Sequence, residues 1–198
     1  MILADSLYGL VLSGGQSSRM GRDKGLITYY DKPQREYLYQ LLDALCQKTF
    51  MSVRSEQRDK IPSKFNVILD EDKFRGPFNG LLSAHLQFPK AAWLVLACDL
   101  PLIDSIALRR LISERDITAM ATAYALKDNP LPEPLCAIWE PESLVRAKTY
   151  LEDGKGSCPR KFLIHSRIKL VFPKNPQVLL NANSHEEYRM ALEKLAIS

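Results

Sequence analysis

Long apolar runs and clustered cysteines are both missing from this sequence of 198 residues. The longest apolar run, residues 91–98, is far shorter than the roughly 20 residues that a transmembrane helix needs. The four cysteines lie far apart and include no Cys-x-x-Cys pair, which argues against a zinc site and a disulfide framework. Cys46 and Cys98 are instead expected to be buried thiols. The first residues lack a basic start followed by a long apolar segment, so we expect a cytoplasmic protein without a membrane partner.

Blocks of a single charge sign are absent as well. Lys and Arg total 27 against 23 Asp and Glu, a net charge of +4, and the two signs are interspersed. A nucleic-acid partner is therefore not expected, whereas a small anionic substrate suits this mild positive excess. Apolar residues make up 46% of the chain, enough for a sizeable core, and the length predicts a single domain over residues 1–198.

Strand and helix patterns alternate along the chain. Strands are predicted at residues 9–12, 51–54, 66–69, 93–97, 118–124, 135–139 and 167–172. Helices are predicted at residues 33–48, 79–88, 105–114, 141–151, 159–165 and 185–195. This alternation predicts a three-layer α/β/α sandwich in which two helical layers cover a Rossmann-like, mostly parallel sheet.

Polar and proline residues mark several of the predicted boundaries. Asp104 is expected to cap the helix that follows it, and Ser184 with Glu187 has the spacing of a capping box. Residues 127–134, KDNPLPEP, are expected to form a proline-rich loop between two strands.

The loops after Leu12, Leu69 and Ala97 are predicted to share one rim of the sheet, because parallel α/β sheets bind ligands at the carboxyl ends of their strands. Asp70 and Asp99 lie in two of these loops, and the first loop is rich in glycine and basic residues. We therefore expect the chemistry of the protein at this rim.

The first loop, residues 12–25 or LSGGQSSRMGRDKG, has the composition of an anion-binding loop. Gly14 and Gly15 carry no Cβ atoms, so backbone N–H groups can approach phosphate oxygens there. Arg19 and Lys24 add positive charge that suits a polyphosphate. The spacing matches neither the Walker loop, which needs Gly-Lys-Ser/Thr, nor the GxGxxG dinucleotide loop.

Two acidic positions follow other predicted strands. Asp99 comes directly after the most apolar strand, where a single carboxylate can hold Mg²⁺ together with phosphate oxygens. Asp104 is better placed than Asp99 to cap the next helix. Residues 70–72, Asp-Glu-Asp, fit either a metal site or a solvated acidic turn.

Four motifs together identify a resemblance to the molybdenum cofactor guanylyltransferases, part of the nucleotidyltransferase family that also contains sugar-phosphate and cytidylyl transferases. The motifs are GGxSxRMGxDK at residues 14–24, GPxxG at 76–80, CDxP at 98–101 and NxNxxEE at 181–187. Ser13 stands where that family usually has alanine. Residues 115–165 match the family pattern only weakly.

The resemblance implies a role for each motif. The first loop would wrap the triphosphate of GTP, Lys24 and Arg19 would neutralise its charge, and Asp99 would hold Mg²⁺. The binding residues implied by the resemblance are Leu12, Ser13, Gly14, Gly15, Lys24, Asp70, Gly76, Pro77, Asn181 and Asn183.

The choice of base and acceptor follows from the later motifs. In these relatives an aspartate followed by GPxxG lines the guanine pocket, a pattern that Asp70 and residues 76–80 match. Guanine offers N1–H and N2–H₂ donors to such an acceptor, whereas cytosine does not, so the turn favours GTP. Asn181 and Asn183 are implied beside the reacting phosphates and the pterin.

The implied reaction transfers GMP from GTP to the phosphate of molybdopterin and releases pyrophosphate. It needs charge neutralisation and in-line positioning rather than a covalent intermediate. The N-terminal half would bind the nucleotide and the C-terminal half the acceptor. There the basic turn at residues 153–161 either faces the pterin or is simply solvated.

Two alternatives stay open. One is another nucleotidyltransferase, acting with CTP on molybdopterin or on a sugar or alditol phosphate. The other is a non-catalytic chaperone that binds nucleotide or cofactor, against which the intact Lys24 and Asp99 argue. Molybdoenzymes or other cofactor-assembly proteins would be partners of the guanylyltransferase.

Overall fold

The computed structural model of the protein describes residues 6–14 and 23–196. The strands are β1 Leu7–Leu12, β2 Lys48–Val53, β3 Val67–Leu69, β4 Ala92–Ala97, β5 Ala121–Leu126, β6 Asn129–Trp139 and β7 Ile168–Val171. The α-helices are α1 Gln34–Asp43, α2 Pro77–Gln87, α3 Ser105–Ser113, α4 Pro141–Glu152, α5 Pro159–Ile164 and α6 His185–Ala196. Short 3-10 turns span Lys24–Leu26, Ser55–Lys60 and Pro176–Leu179. None of the helices within these described ranges is both long and apolar enough to cross a membrane.

The strands form one seven-stranded sheet in the order β3-β2-β1-β4-β6-β5-β7. All pairings are parallel except those of β6, which runs antiparallel to both of its neighbours, β4 and β5. The central strand β4 is buried along its whole length, as expected for a strand covered on both faces. The prediction of an α/β fold with a mostly parallel sheet is confirmed.

Helices cover both faces of this sheet, and the alternation of side chains along β4 shows the three layers. Leu94 and Leu96 pack into one apolar cluster, to which α1 and α3 contribute. Trp93 and Val95 pack into a second cluster on the opposite face, to which α2, α4 and α5 contribute. The sheet is thus the middle layer, and its edge along the carboxyl ends of β1 to β4 is left for the loops.

The two largest errors in the predicted boundaries are both explained by tertiary pairing. The predicted loop at residues 127–134 is strand β6 from Asn129 onward, because its prolines lie where β5 and β6 pair irregularly. The predicted helix at residues 33–48 ends at Asp43, since Lys48 already pairs in register with Tyr8 of β1. Strand pairing therefore overrides the helical spacing of leucines that favoured a longer helix.

The predicted caps are largely confirmed. Asp104 Oδ1 accepts a hydrogen bond from Ala107 N at 2.7 Å at the start of α3. Ser184 Oγ accepts from Glu187 N at 3.2 Å. The reciprocal bond of the capping box is displaced by one residue, because Glu187 Oε2 accepts from Asn183 N at 2.7 Å. This displacement links α6 to the segment that enters the site described below.

Of the two cysteines predicted to be buried, one is buried in the structure. Cys98 is buried, as expected. Cys46 is only half-buried, although desolvation still raises the pKa of its thiol to about 12.

A buried ion pair joins the end of α3 to the start of α4. Arg115 Nε and Nη2 each donate to a carboxylate oxygen of Glu140 at 2.7 Å, and Glu140 is only 4% exposed. Removing one member of such a pair leaves the other buried without its counter-charge.

We expect Glu140→Ala to lower the free energy of unfolding by about 3 kcal/mol, as measured by urea denaturation. Glu142→Ala is the matched control, because Glu142 pairs with Arg146 on the exposed side of α4. This exposed pair should contribute far less. Equal losses in the two variants would contradict the assignment of the buried pair.

Candidate functional site

A cavity of about 460 Å³ lies at the carboxyl ends of the parallel strands β1 to β4. Its walls come from the segments after these strands, from the start of α2 and from β6. The lining residues are Leu12, Ser13, Gly14, Asp23, Lys24, Gly25, Ser52, Arg54, Asp70, Asp72, Phe74, Gly76, Pro77, Asn79, Gly80, Ala97, Cys98, Asp99 and Leu135. The loops after Leu12, Leu69 and Ala97 thus meet at one rim, as their strand positions predicted.

Lys24 sits at the junction of three distant segments. Its ammonium donates to Asn183 Oδ1 and lies 3.9 Å from Asp99 Oδ2. Asp99 O accepts a hydrogen bond from Ala182 N at 2.8 Å, which fixes the segment before α6 against the end of β4. Asn181 lies in this same segment, but its side chain donates to Leu179 O rather than entering the junction.

The Asp99 carboxylate is only partly compensated by protein charges. Its side chain is 23% exposed, and desolvation raises its pKa, an effect that the Lys24 ammonium opposes and Glu187 reinforces. The residues that the structure describes contain no group of three or more His, Cys, Asp or Glu that could enclose a metal ion. Asp99 offers a cation one carboxylate at this rim, which fits Mg²⁺ when phosphate oxygens supply further ligands.

Asp70 forms the other acidic wall of the cavity. Ser52 Oγ donates to Asp70 Oδ1, a bond that favours the ionised form. Desolvation nevertheless raises the pKa of Asp70, and Asp72 adds to the rise. A Cβ atom at Gly14 would lie 2.4 Å from Asp70 Oδ2, so a side chain there would displace the Asp70 carboxylate.

The GPFNG turn places the start of α2 against β2. Gly76 has a φ of 66°, in the left-handed region that glycine tolerates, and Pro77 occupies the first position of α2. A Cβ atom at Gly80 would lie 2.1 Å from Ser52 Oγ, so the helix packs on the strand without space for a side chain. The motif is therefore a close helix–strand contact at the edge of the cavity.

Some lining residues escaped the sequence analysis, notably Ser52 and Arg54 at the end of β2. They carry no motif, yet they belong to the strand predicted at residues 51–54, and their place near its carboxyl end could have put them on the rim. Gly15 and Arg19, both predicted site residues, lie outside the described residues.

The basic turn predicted for the acceptor side makes contacts of its own. Arg160 Nη2 donates to Glu133 Oε2 at 2.7 Å, and Lys155 pairs with Asp153 at 2.8 Å. Burial raises the pKa of Glu133, Arg160 opposes this, and the Asp99 charge adds to the rise. Arg160 also donates to Pro132 O at 3.0 Å and is thus held against the start of β6, whereas Lys155 is engaged locally.

Comparison with known proteins agrees with this geometry. Residues 9–168 match the MobA-like NTP transferase domain. The chain belongs to this family. It is accordingly a nucleotidyltransferase, with an α/β fold of the type expected from its motifs.

Individual relatives of this nucleotidyltransferase cover nearly its whole length. It is 37% identical over 183 residues to the molybdenum cofactor biosynthesis bifunctional protein of Synechocystis, covering 92% of this chain but only 52% of that protein. The chain therefore spans about half the length of that relative. It is 24% identical to the molybdenum cofactor guanylyltransferase of Shewanella piezotolerans, covering 96% and 94% of the two chains.

A solved structure shares the fold. The molybdopterin-guanine dinucleotide biosynthesis protein A of Archaeoglobus fulgidus superposes with a TM-score of 0.80 at 20% identity, covering 96% of this chain and 100% of that one.

The raised pKa of Asp70 predicts how stability depends on pH. Because the folded pKa exceeds the unfolded one, the carboxylate destabilises the ligand-free fold at about pH 7, and this effect disappears at about pH 3, where both states are protonated. We expect Asp70→Asn, which keeps an acceptor for Ser52, to raise the Tm near neutrality but not in acid. Thermal unfolding across this pH range measures the difference. Asp59→Asn, at an exposed position, is the control, and a gain that does not vary with pH would refute the explanation.

Proposed function

We propose that this nucleotidyltransferase transfers GMP from GTP to the terminal phosphate of molybdopterin in a Mg²⁺-dependent reaction. The observation that carries the proposal is the convergence of Lys24, Asp99 and Asn183 at the cavity that also contains Asp70. A cation, a metal-binding carboxylate and a base acceptor are the groups that nucleotidyl transfer requires. The name of the Shewanella relative, a molybdenum cofactor guanylyltransferase, supports this choice of substrates, and the name of the Synechocystis relative supports a role in molybdenum cofactor biosynthesis.

The charges of the first loop suit the triphosphate. Lys24 would neutralise the phosphates, and the backbone N–H groups at Gly14 and Gly15 would approach them closely. Arg19 is proposed to add a second positive charge. Leu12 and Ser13 would form the wall beneath the ribose and phosphates at the end of β1.

The chemical step needs positioning and charge stabilisation. A phosphate oxygen of molybdopterin attacks the α-phosphorus of GTP, and the bond from that phosphorus to the bridging oxygen of the β-phosphate breaks. Pyrophosphate leaves with the electron pair. The attacking group is already an anion, so no general base is required, and Lys24 stabilises the charge that develops.

Asp99 would hold Mg²⁺ at this rim. When bound, the ion would neutralise phosphate charge and act as a Lewis acid on the phosphoryl group. The role of Asp99 would be to present one desolvated carboxylate beside the triphosphate. Asn183 keeps the Lys24 ammonium next to that carboxylate.

Guanine is the base that the walls around Asp70 fit best. The carboxylate can accept from N1–H and N2–H₂, while Gly76 and Pro77 start the helix that closes this side. Arg54 lines the same cavity and offers donors suited to the O6 and N7 acceptors of guanine.

The acceptor is proposed to bind on the C-terminal side of the same single domain. Asn181 and Asn183 belong to the segment between β7 and α6, and Arg160 lies beyond β6. Delivery to molybdoenzymes or other cofactor-assembly proteins, and a cytoplasmic location, stay predictions from the sequence.

A pyrophosphate-release assay tests the proposal. Purified protein is incubated with molybdopterin, Mg²⁺ and one nucleotide at a time: GTP, CTP, ATP or UTP. Of these four nucleotides, only GTP is expected to support turnover. Turnover with CTP but not GTP would overturn the choice of base. GTP binding without turnover would instead favour the non-catalytic chaperone.

Lys24→Ala and Asp99→Ala should each lower turnover at least tenfold, which corresponds to about 1.4 kcal/mol of barrier. The same assay measures this loss. Lys32→Ala is the matched control for charge, because Lys32 contacts Gln40 on the surface away from the cavity. A near-normal rate in Lys24→Ala or Asp99→Ala removes that residue from the mechanism.

Asp70→Asn should reduce discrimination between GTP and inosine triphosphate, which lacks the N2 amino group. We expect the wild type to prefer GTP by about tenfold in kcat/KM, and the variant to show nearly equal values, since one acceptor atom is lost. An unchanged ratio in the variant would mean that another group reads the amino group.

A further inference from the structure

Gln57 is a buried amide that does not line the cavity but touches residues that do. It lies in the 3-10 turn after β2 and is 5% exposed. Its Nε2 donates to Ser13 O at 3.2 Å and to Asp23 Oδ2 at 2.9 Å, and its Oε1 accepts from Arg54 N at 3.0 Å. Both amide hydrogens and the carbonyl oxygen are therefore engaged.

The two acceptors of Gln57 lie near the two ends of the first loop. Ser13 lies at the end of β1, and Asp23 precedes the turn that carries Lys24. The second oxygen of Asp23 accepts from Gly25 N at 2.9 Å, which caps this turn. One nitrogen atom thus joins the strand that leads into the loop to the turn that leads out of it.

We propose that Gln57 is a positioning residue, which holds the two ends of the nucleotide-binding loop at a fixed separation and so pre-organises Lys24 for the triphosphate. A lysine that is held in place before binding loses less conformational freedom when the ligand arrives. The assignment of the triphosphate to this loop rests on the proposed function.

An amide is the side chain that these contacts require. Glutamate would set a second carboxylate against Asp23 and offer no donor to Ser13 O. Leucine has a similar size but can neither donate nor accept. The neighbouring cation, Arg35, cannot substitute for the amide, because its Nη1 is 4.0 Å from Asp23 Oδ2 and its Nη2 donates to Lys60 O.

The experiment separates loop positioning from general stability. Calorimetric titration of wild type, Gln57→Leu and Gln57→Glu is carried out with GTP, with inorganic tripolyphosphate and with guanosine, in the presence of Mg²⁺. We expect Gln57→Leu to weaken the binding of GTP and of tripolyphosphate at least tenfold. Gln57→Glu should weaken the binding of both ligands further. The affinity for guanosine should change less than twofold, because Gln57 accepts from the backbone N–H of Arg54 and not from the Arg54 side chain that would face guanine.

Asn66→Leu is the matched control, since the side-chain amide of Asn66 also donates two hydrogen bonds. Its acceptors, Tyr39 Oη and Thr49 O, lie away from the cavity. It should leave all three affinities unchanged. The inference would be overturned if Gln57→Leu bound tripolyphosphate with wild-type affinity. It would also be overturned if this variant lost as much affinity for guanosine as for tripolyphosphate. If the wild type binds triphosphate but transfers no nucleotide to molybdopterin, the proposed function fails while the inference about Gln57 is still decided by these affinities. If the wild type binds no triphosphate, both fail.

Discussion

The parallel pairing of β1 to β4 is the constraint on which the site depends. Because these strands run in one direction and are buried by helices on both faces, their carboxyl ends meet at one edge of the sheet. Beyond the strand ends the backbone N–H and C=O groups no longer pair with a neighbouring strand, and the loops that follow turn away from the sheet. Residues separated by most of the chain, such as Lys24 and Asn183, come into contact for this reason.

The cavity carries charge that the protein does not fully neutralise. Desolvation raises the pKa of both Asp70 and Asp99, so each carboxylate costs stability in the free protein. A ligand that brings hydrogen-bond donors to Asp70 and a cation to Asp99 would relieve these costs on binding. In contrast, Arg115 and Glu140 pair with each other through two short hydrogen bonds and serve the fold. Acidic residues with a raised pKa thus line the cavity, whereas the acidic residue paired with Arg115 stabilises the fold.

Rigid packing around the cavity explains why small residues recur in its walls. Gly14 lies against Asp70, and Gly80 brings α2 against Ser52, so a carbon atom added at either position would displace the side chain opposite. Gln57 ties the ends of the first loop from behind this layer. The glycines therefore set the distances between walls, while the buried amide holds the loop that spans them.

Local patterns in the sequence determined the order of strands and helices, the cap at Asp104, the rim formed by the first, third and fourth strands, and, through its motifs, the family. These features depend on residues close together in the chain, where spacing and composition are informative. Only the tertiary structure decided that α1 ends at Asp43, that the prolines before Leu135 lie in a strand, and that Ser52 and Gln57 belong to the site. Each of these depends on pairing or hydrogen bonding with a distant segment, and the energy of such contacts has no counterpart in the local sequence.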